Sequence, residues 1–150
     1  MVLESLLSYA HLLAILTMVV FLASEAALCR VDWLNAAVVE RLARIDRVYG
    51  IAAGTVLLTG LLRVFLGVKG AGWYATHPLL YVKLALFVTI GLLSIKPTQM
   101  FTRWRKALRA TGSLPQEAQI REARRLVMLQ AHLFPLIPLA AVFLARGFGK

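Results

Sequence analysis

The chain has 150 residues, 60% of them hydrophobic, with a mean hydropathy of +0.76 and a net charge of +10. An apolar share of that size is far above what a soluble domain of this length carries, so the composition points to an integral membrane protein, and the length allows one compact domain. The basic excess sits beside apolar runs, which is the mark of membrane topology and argues against nucleic acid as a partner.

A first apolar run, about residues 2–28, is long enough to cross a bilayer with some tilt. It has no basic region at its start and a bulky Leu28 where signal processing prefers a small residue, so it is expected to be retained as a span. His11 lies inside it and Glu25 near its far end, with Met18 midway. At about 100° per residue, His11 and Glu25 fall within roughly 40° of each other, so one face carries the ionisable groups and is expected to look inward. Cys29 is the only cysteine, which leaves no intrachain disulfide and no cysteine-based metal cluster.

Residues 30–47 mix charge with Trp33, Leu34, Val38, Leu42 and Ile45, the pattern of a short amphipathic helix at the membrane interface. A second span, about 48–66, carries Gly50, Gly54 and Gly60 with Ala53 and Thr59, small enough for close helix packing, and has Arg63 near its end. The glycine-rich turn that follows bears an aromatic belt at Trp73 and Tyr74 and lacks the spacing of a phosphate loop.

The third span, 78–97, is bracketed by Pro78 and Pro97; besides Lys96 at its very end it contains one cation, Lys83, which must snorkel, pair or face the bundle interior. A polar stretch with seven basic residues comes next, in two helical halves broken at Thr111-Gly112-Ser113 and Pro115. It reads as a solvated loop, with anionic lipid as the alternative contact. The fourth span, about 126–144, holds His132 and bends at Pro135 and Pro138. The expected fold is all-α and membrane-embedded: an up-down bundle of four transmembrane helices, one domain over 1–150, with short interfacial helices in loops one and three.

Lys and Arg outside the spans number twelve on the side of loops one and three, against three on the other side, Lys69, Arg146 and Lys150. Both termini are therefore expected outside the cytoplasm. At 1.5 Å per residue, His11 then lies roughly 13 Å below the outer edge, Lys83 about 8 Å and Arg63 about 5 Å. Converging inward, the three would form a cationic pocket with Glu4 as the only acidic residue on that side. Such a pocket calls for an anion: a lipid phosphate, a substrate carboxylate or the propionates of a porphyrin. Snorkelling of Arg63 and Lys83 to headgroups, with His11 hydrogen-bonded across the bundle, is the competing reading. Histidines in a four-helix bundle are also candidate haem ligands, with His11 as the metal ligand and His132 at a level roughly 7 Å away. At the inner end Glu25, Asp46, Arg47 and Lys96 read as an interfacial salt-bridge cluster, or alternatively as the start of a proton relay toward His11. No soluble-enzyme signature is present, neither G-x-S-x-G nor H-E-x-x-H nor C-x-x-C.

The runs IDRVYGIAAGTVLLTGLLRVFLGVKGAGWY, HPLLYVKLALFVTIGLLSIKPTQMFTRW and PLIPLAAVFLARG resemble the domain of unknown function 2214 family of small bacterial inner-membrane proteins. The matching positions are Glu25, Asp46, Arg63, Lys69, Lys83, Pro97 and Thr98. The chain departs at Val68, where the family usually carries an acidic residue, and at His77-Pro78, where Asn-Pro is common. The resemblance implies a bacterial inner-membrane location. Two short windows, around His11 and around Lys83 in its V-K-L setting, are similar to the four-helix protoporphyrinogen oxidases of bacterial haem synthesis. That likeness implies haem or porphyrin binding at His11 and Lys83, and joined to the cationic pocket it gives the expectation of a redox protein that binds haem b there, with Arg63 as an anion partner. A non-enzymatic partner subunit, a homo-oligomer, or a transporter that binds a small anion or lipid stays open beside it.

Overall fold

A computed structural model describes residues 2–67 and 70–148. Val68 and Lys69 of the glycine-rich turn, and Lys150, lie outside the described residues. The elements in order are α1 (Val2–Leu28), a 3₁₀ turn (Val31–Trp33), α2 (Ala36–Leu66), α3 (Gly70–Ala75), α4 (Pro78–Thr111), α5 (Glu117–Leu133) and α6 (Leu136–Ala145). Four stretches are long and apolar enough to cross a membrane: α1, α2, α4, and α5 with α6 taken together.

The four form a closed ring in which α1 packs on α2 and α5, α2 on α4, and α4 on α5 and α6. Neighbours run antiparallel, because early α2 meets late α4 at Glu40 and Arg109, and early α1 meets late α2 at His11 and Thr59. One end of the bundle carries the chain termini and α3. The other carries the 3₁₀ turn and the α4–α5 connection, and is called the basic end below.

The helices outrun a bilayer core. At 1.5 Å per residue α4, with 34 residues, is roughly 51 Å long and α2, with 31, roughly 46 Å, against about 30 Å of hydrocarbon. Their excess lies at the basic end. The helical segments expected in loops one and three are thus present as continuations of the crossing helices. Asn35 caps α2 by accepting a hydrogen bond from the Val38 amide at 3.0 Å. Gly112, at φ 70°, ends α4 in the left-handed conformation that glycine adopts without strain.

Pro97 does not stop α4, which continues to Thr111. A proline removes one amide donor and frees the carbonyl four residues back, here that of Leu93. Gln130 of α5 reaches across and donates its side-chain amide to that carbonyl at 3.4 Å. The break in the ladder is therefore covered by a neighbouring helix, as membrane bundles allow. Of the two prolines in the fourth span, Pro135 breaks it as expected, with a turn at Phe134-Pro135 dividing α5 from α6, whereas Pro138 lies within the first turn of α6.

Burial follows 3.6-residue stripes. On α1 the buried residues are Ala14, Met18, Leu22 and Glu25. The α2 stripe runs from Leu42 through Asp46, Tyr49, Ala52 and Val56 to Thr59, and α4 buries Ile90, Pro97, Phe101 and Trp104. Large apolar side chains such as Leu6, Leu13, Val20, Leu58, Val88 and Leu139 point outward, the surface a lipid-embedded bundle presents. Gly50 and Gly54 also face outward, with open space around them, so they do not mediate helix packing. Gly60 does: a Cβ there would come 3.3 Å from Cε1 of His11.

Candidate functional site

The terminal end brings together His11, Arg63 and Lys83 from three helices. Arg63 follows Thr59 by one turn on the buried stripe of α2, and Lys83 precedes Ile90 by two turns on that of α4, so each inherits an inward direction from helical periodicity. Both are half-buried and both act electrostatically on His11, while Arg63 also acts on Lys83. Among the described residues, neither Arg63 nor Lys83 makes an ion pair or a side-chain hydrogen bond. Two like charges are thus held near one another in a low-dielectric setting without a counter-charge, an arrangement that favours an anionic guest.

The hydrogen bonds of His11 define its protonation pattern. The Thr59 hydroxyl donates to the Thr55 carbonyl at 2.7 Å, so its single hydrogen is already used. His11 Nδ1, 2.8 Å from Thr59 Oγ1, must then be the donor. In the neutral imidazole this leaves Nε2 with its lone pair free, the tautomer of a metal-ligating or proton-accepting histidine. Thr59 was not singled out in the sequence, where it read only as a small packing residue.

His132 stands apart from this group. Its side chain is exposed, Nδ1 donates to the Met128 carbonyl of its own helix at 2.6 Å, and it is not among the groups acting on His11. The structure therefore brings together His11, Arg63 and Lys83, and leaves His132 outside the cluster. His77, noted in the sequence only as a departure from the family pattern, is 1% exposed at the start of α4. Its Nδ1 donates to the Trp73 carbonyl, its ring stacks on Trp73 at 3.9 Å, and its Nε2 has no partner among the described residues.

A second polar group lies toward the basic end and differs from the salt-bridge cluster expected there. Lys96 pairs with Glu122, and Arg47 is exposed, so neither neutralises Glu25 or Asp46. Asp46 accepts a hydrogen bond from the Thr98 hydroxyl at 2.8 Å. Tyr49, buried beside it, donates to Gln130 Oε1 at 3.1 Å, so one glutamine serves both the tyrosine of α2 and the freed carbonyl of α4. Glu25 is 1% exposed, and its Oε1 has no hydrogen-bond partner among the described residues. Sequence spacing marked Glu25 and Asp46. Thr98 stood out only as a position shared with a known family, and Gln130 not at all, because long-range pairing across helices leaves no periodic trace.

At the surface of the basic end, Arg124 donates to the carbonyls of Ala26 at 2.7 Å and Cys29 at 3.2 Å, closing the C-terminus of α1. With Arg30, Asp32 and Arg121 it lines a cleft of about 240 Å³. Arg109 grips Glu40 through two parallel hydrogen bonds, 2.7 and 2.9 Å, locking the extended ends of α4 and α2 together.

No curated protein and no solved structure matches the chain. The likeness to protoporphyrinogen oxidases accordingly rests on its two short windows alone. A family model described as a predicted membrane protein covers residues 3–149, essentially the length of the bundle. Four apolar crossing helices and that match together place the chain in the domain of unknown function 2214 family, DUF2214.

Proposed function

We propose that this is a multi-pass protein of a bacterial inner membrane, with both termini outside the cytoplasm, whose His11, Arg63 and Lys83 cluster binds an anion in the outer half of the bilayer. The observation that carries the reading is the convergence of two cations from different helices, without an ion-pair partner among the described residues, beside a histidine. A carboxylate or phosphate would complete the charge balance, and the partner class is a small anion or an anionic lipid headgroup. The basic residues at the other end engage anionic headgroups of the cytoplasmic leaflet.

The free Nε2 of His11 favours a second reading, a haem or porphyrin guest. The residues present fit such a guest: His11 would hold it through Nε2, Arg63 and Lys83 would partner its propionates, and His132, turned away, would take no part. Haem b bound there would supply one-electron chemistry. The protein's part would be to hold Nδ1–H on Thr59, keep Nε2 free to ligate and neutralise the propionates.

One experiment separates the readings. Purified protein is titrated with hemin, followed by absorbance, and separately with inorganic phosphate, succinate and phosphatidylglycerol, followed by thermal unfolding. A Soret band that His11→Ala abolishes supports the porphyrin reading. Anion-dependent stabilisation lost in Arg63→Gln and Lys83→Gln, with no hemin uptake, supports the simpler one. Protein that answers to none of the four probes would refute both. The topology is checked by reporter fusions, which should be active on the periplasmic side at the C-terminus.

A further inference from the structure

The carboxyl pair toward the basic end is used by neither reading above. Four helices contribute to it: Glu25 from α1, Asp46 and Tyr49 from α2, Thr98 from α4 and Gln130 from α5. Glu25 and Asp46 are 1% and 7% exposed and lie within electrostatic reach of each other, and Tyr49 feels both. The charged and titratable groups around them can be taken element by element. On α2 these are Asp46 and Tyr49, and after α1 comes Cys29, which donates its thiol to the Ile120 carbonyl at 3.8 Å. On α5 there is Arg124, whose guanidinium is committed to the backbone carbonyls of Ala26 and Cys29 and does not act on Glu25. The α4 neighbour is Thr98, which is neutral.

Two buried carboxylates within electrostatic reach of each other, with no cationic side chain among the described residues paired to either, cannot both stay ionised. The hydrogen bonds say which one gives way. A donor aimed at a carboxyl oxygen favours the charged form, and Asp46 has one in Thr98. Glu25 has none, and its buried Oε1 is without a partner among the described residues.

We infer that Glu25 and Asp46 form a proton-binding site in which, at neutral pH, Glu25 carries the proton and Asp46 the charge. Loss of that proton would set two negative charges between α1 and α2, so the occupancy of the site is tied to how those helices pack.

The test is infrared spectroscopy of the protein in lipid at neutral pH, reading the carbonyl stretch that a carboxylic acid shows and a carboxylate lacks. The other acidic residues are not competitors inside the bundle: Glu40, Glu117 and Glu122 are in ion pairs, Asp32 is exposed, and Glu4 lies at the opposite end. The acid band should be present in the wild type, lost in Glu25→Gln and retained in Asp46→Asn. Should Glu25→Gln fail to fold, ¹³C-carboxyl labelling of glutamate in the wild type makes the same assignment by lowering the band's frequency, whereas labelling of aspartate should leave it unmoved. No acid band in the wild type, or a band that follows the aspartate label, overturns the inference. A band removed by sodium chloride but not by choline chloride overturns it in favour of a metal cation.

Discussion

Gln130→Leu is the substitution whose consequences the structure defines most closely. It deletes the acceptor of the Tyr49 hydroxyl, at 3.1 Å, and the donor to the Leu93 carbonyl, at 3.4 Å, both inside the bundle. A buried polar group left unpaired costs about 1–3 kcal/mol, and hydrogen bonds between membrane helices average about 0.6 kcal/mol, so the expected destabilisation is about 2 kcal/mol. Most of it belongs to Tyr49, whose bond is shorter. The Leu93 share can be isolated, because that carbonyl lacks a helical partner only on account of Pro97. Pro97→Ala restores the amide donor and makes Gln130 partly redundant. In the Pro97→Ala background Gln130→Leu should therefore cost about 0.6 kcal/mol less than in the wild type, measured by denaturant unfolding in mixed micelles as a double-mutant cycle. The packing lost when Pro97 shrinks appears in both arms and cancels. Costs additive within about 0.3 kcal/mol would refute the claim that Gln130 compensates for the proline.

The glycines of α2 should separate by position. Gly54→Ala meets open space and removes an exposed mid-helix glycine, so it should raise stability by about 0.5–1 kcal/mol in thermal unfolding. Gly60→Ala should gain less or lose outright, since its Cβ would come 3.3 Å from His11, and any hemin or anion response should weaken with it. Cys29 should be chemically silent. Burial pushes its thiol up to about 12, so at pH 8 the thiolate share is about three orders of magnitude below that of a free cysteine, and maleimide should label it only after denaturation. Fast labelling of the folded protein would contradict its burial against Ile120. Thr59→Val should free Nδ1 of His11 from its acceptor and weaken anion or hemin binding at unchanged fold, read in the same titrations.

What was legible in the residues was whatever repeats along one helix. His11, Met18 and Glu25 share a face because helical geometry places positions seven and fourteen apart nearly in line, whereas for Arg63 and Lys83 the residues left inward convergence and snorkelling both open. Proline was a poorer guide. Pro97 read as a span end, yet α4 runs through it, because the missing donor is replaced from another helix and no local rule contains that helix. Glycine likewise signalled packing in general, while only Gly60 among Gly50, Gly54 and Gly60 meets a neighbour, His11.

Composition and periodicity by themselves determined that this chain crosses a membrane four times as a helical bundle, since backbone groups in hydrocarbon must be satisfied within each helix and apolar length measures the crossing. Only the tertiary structure decided which ionisable groups meet: His11 with Arg63 and Lys83, Glu25 with Asp46, and His132 with neither. Those pairings depend on the rotation and vertical register of separate helices, set by side-chain interlock such as Gly60 against His11 and Gln130 against Leu93, and a pattern read along one helix carries no information about its neighbour's register.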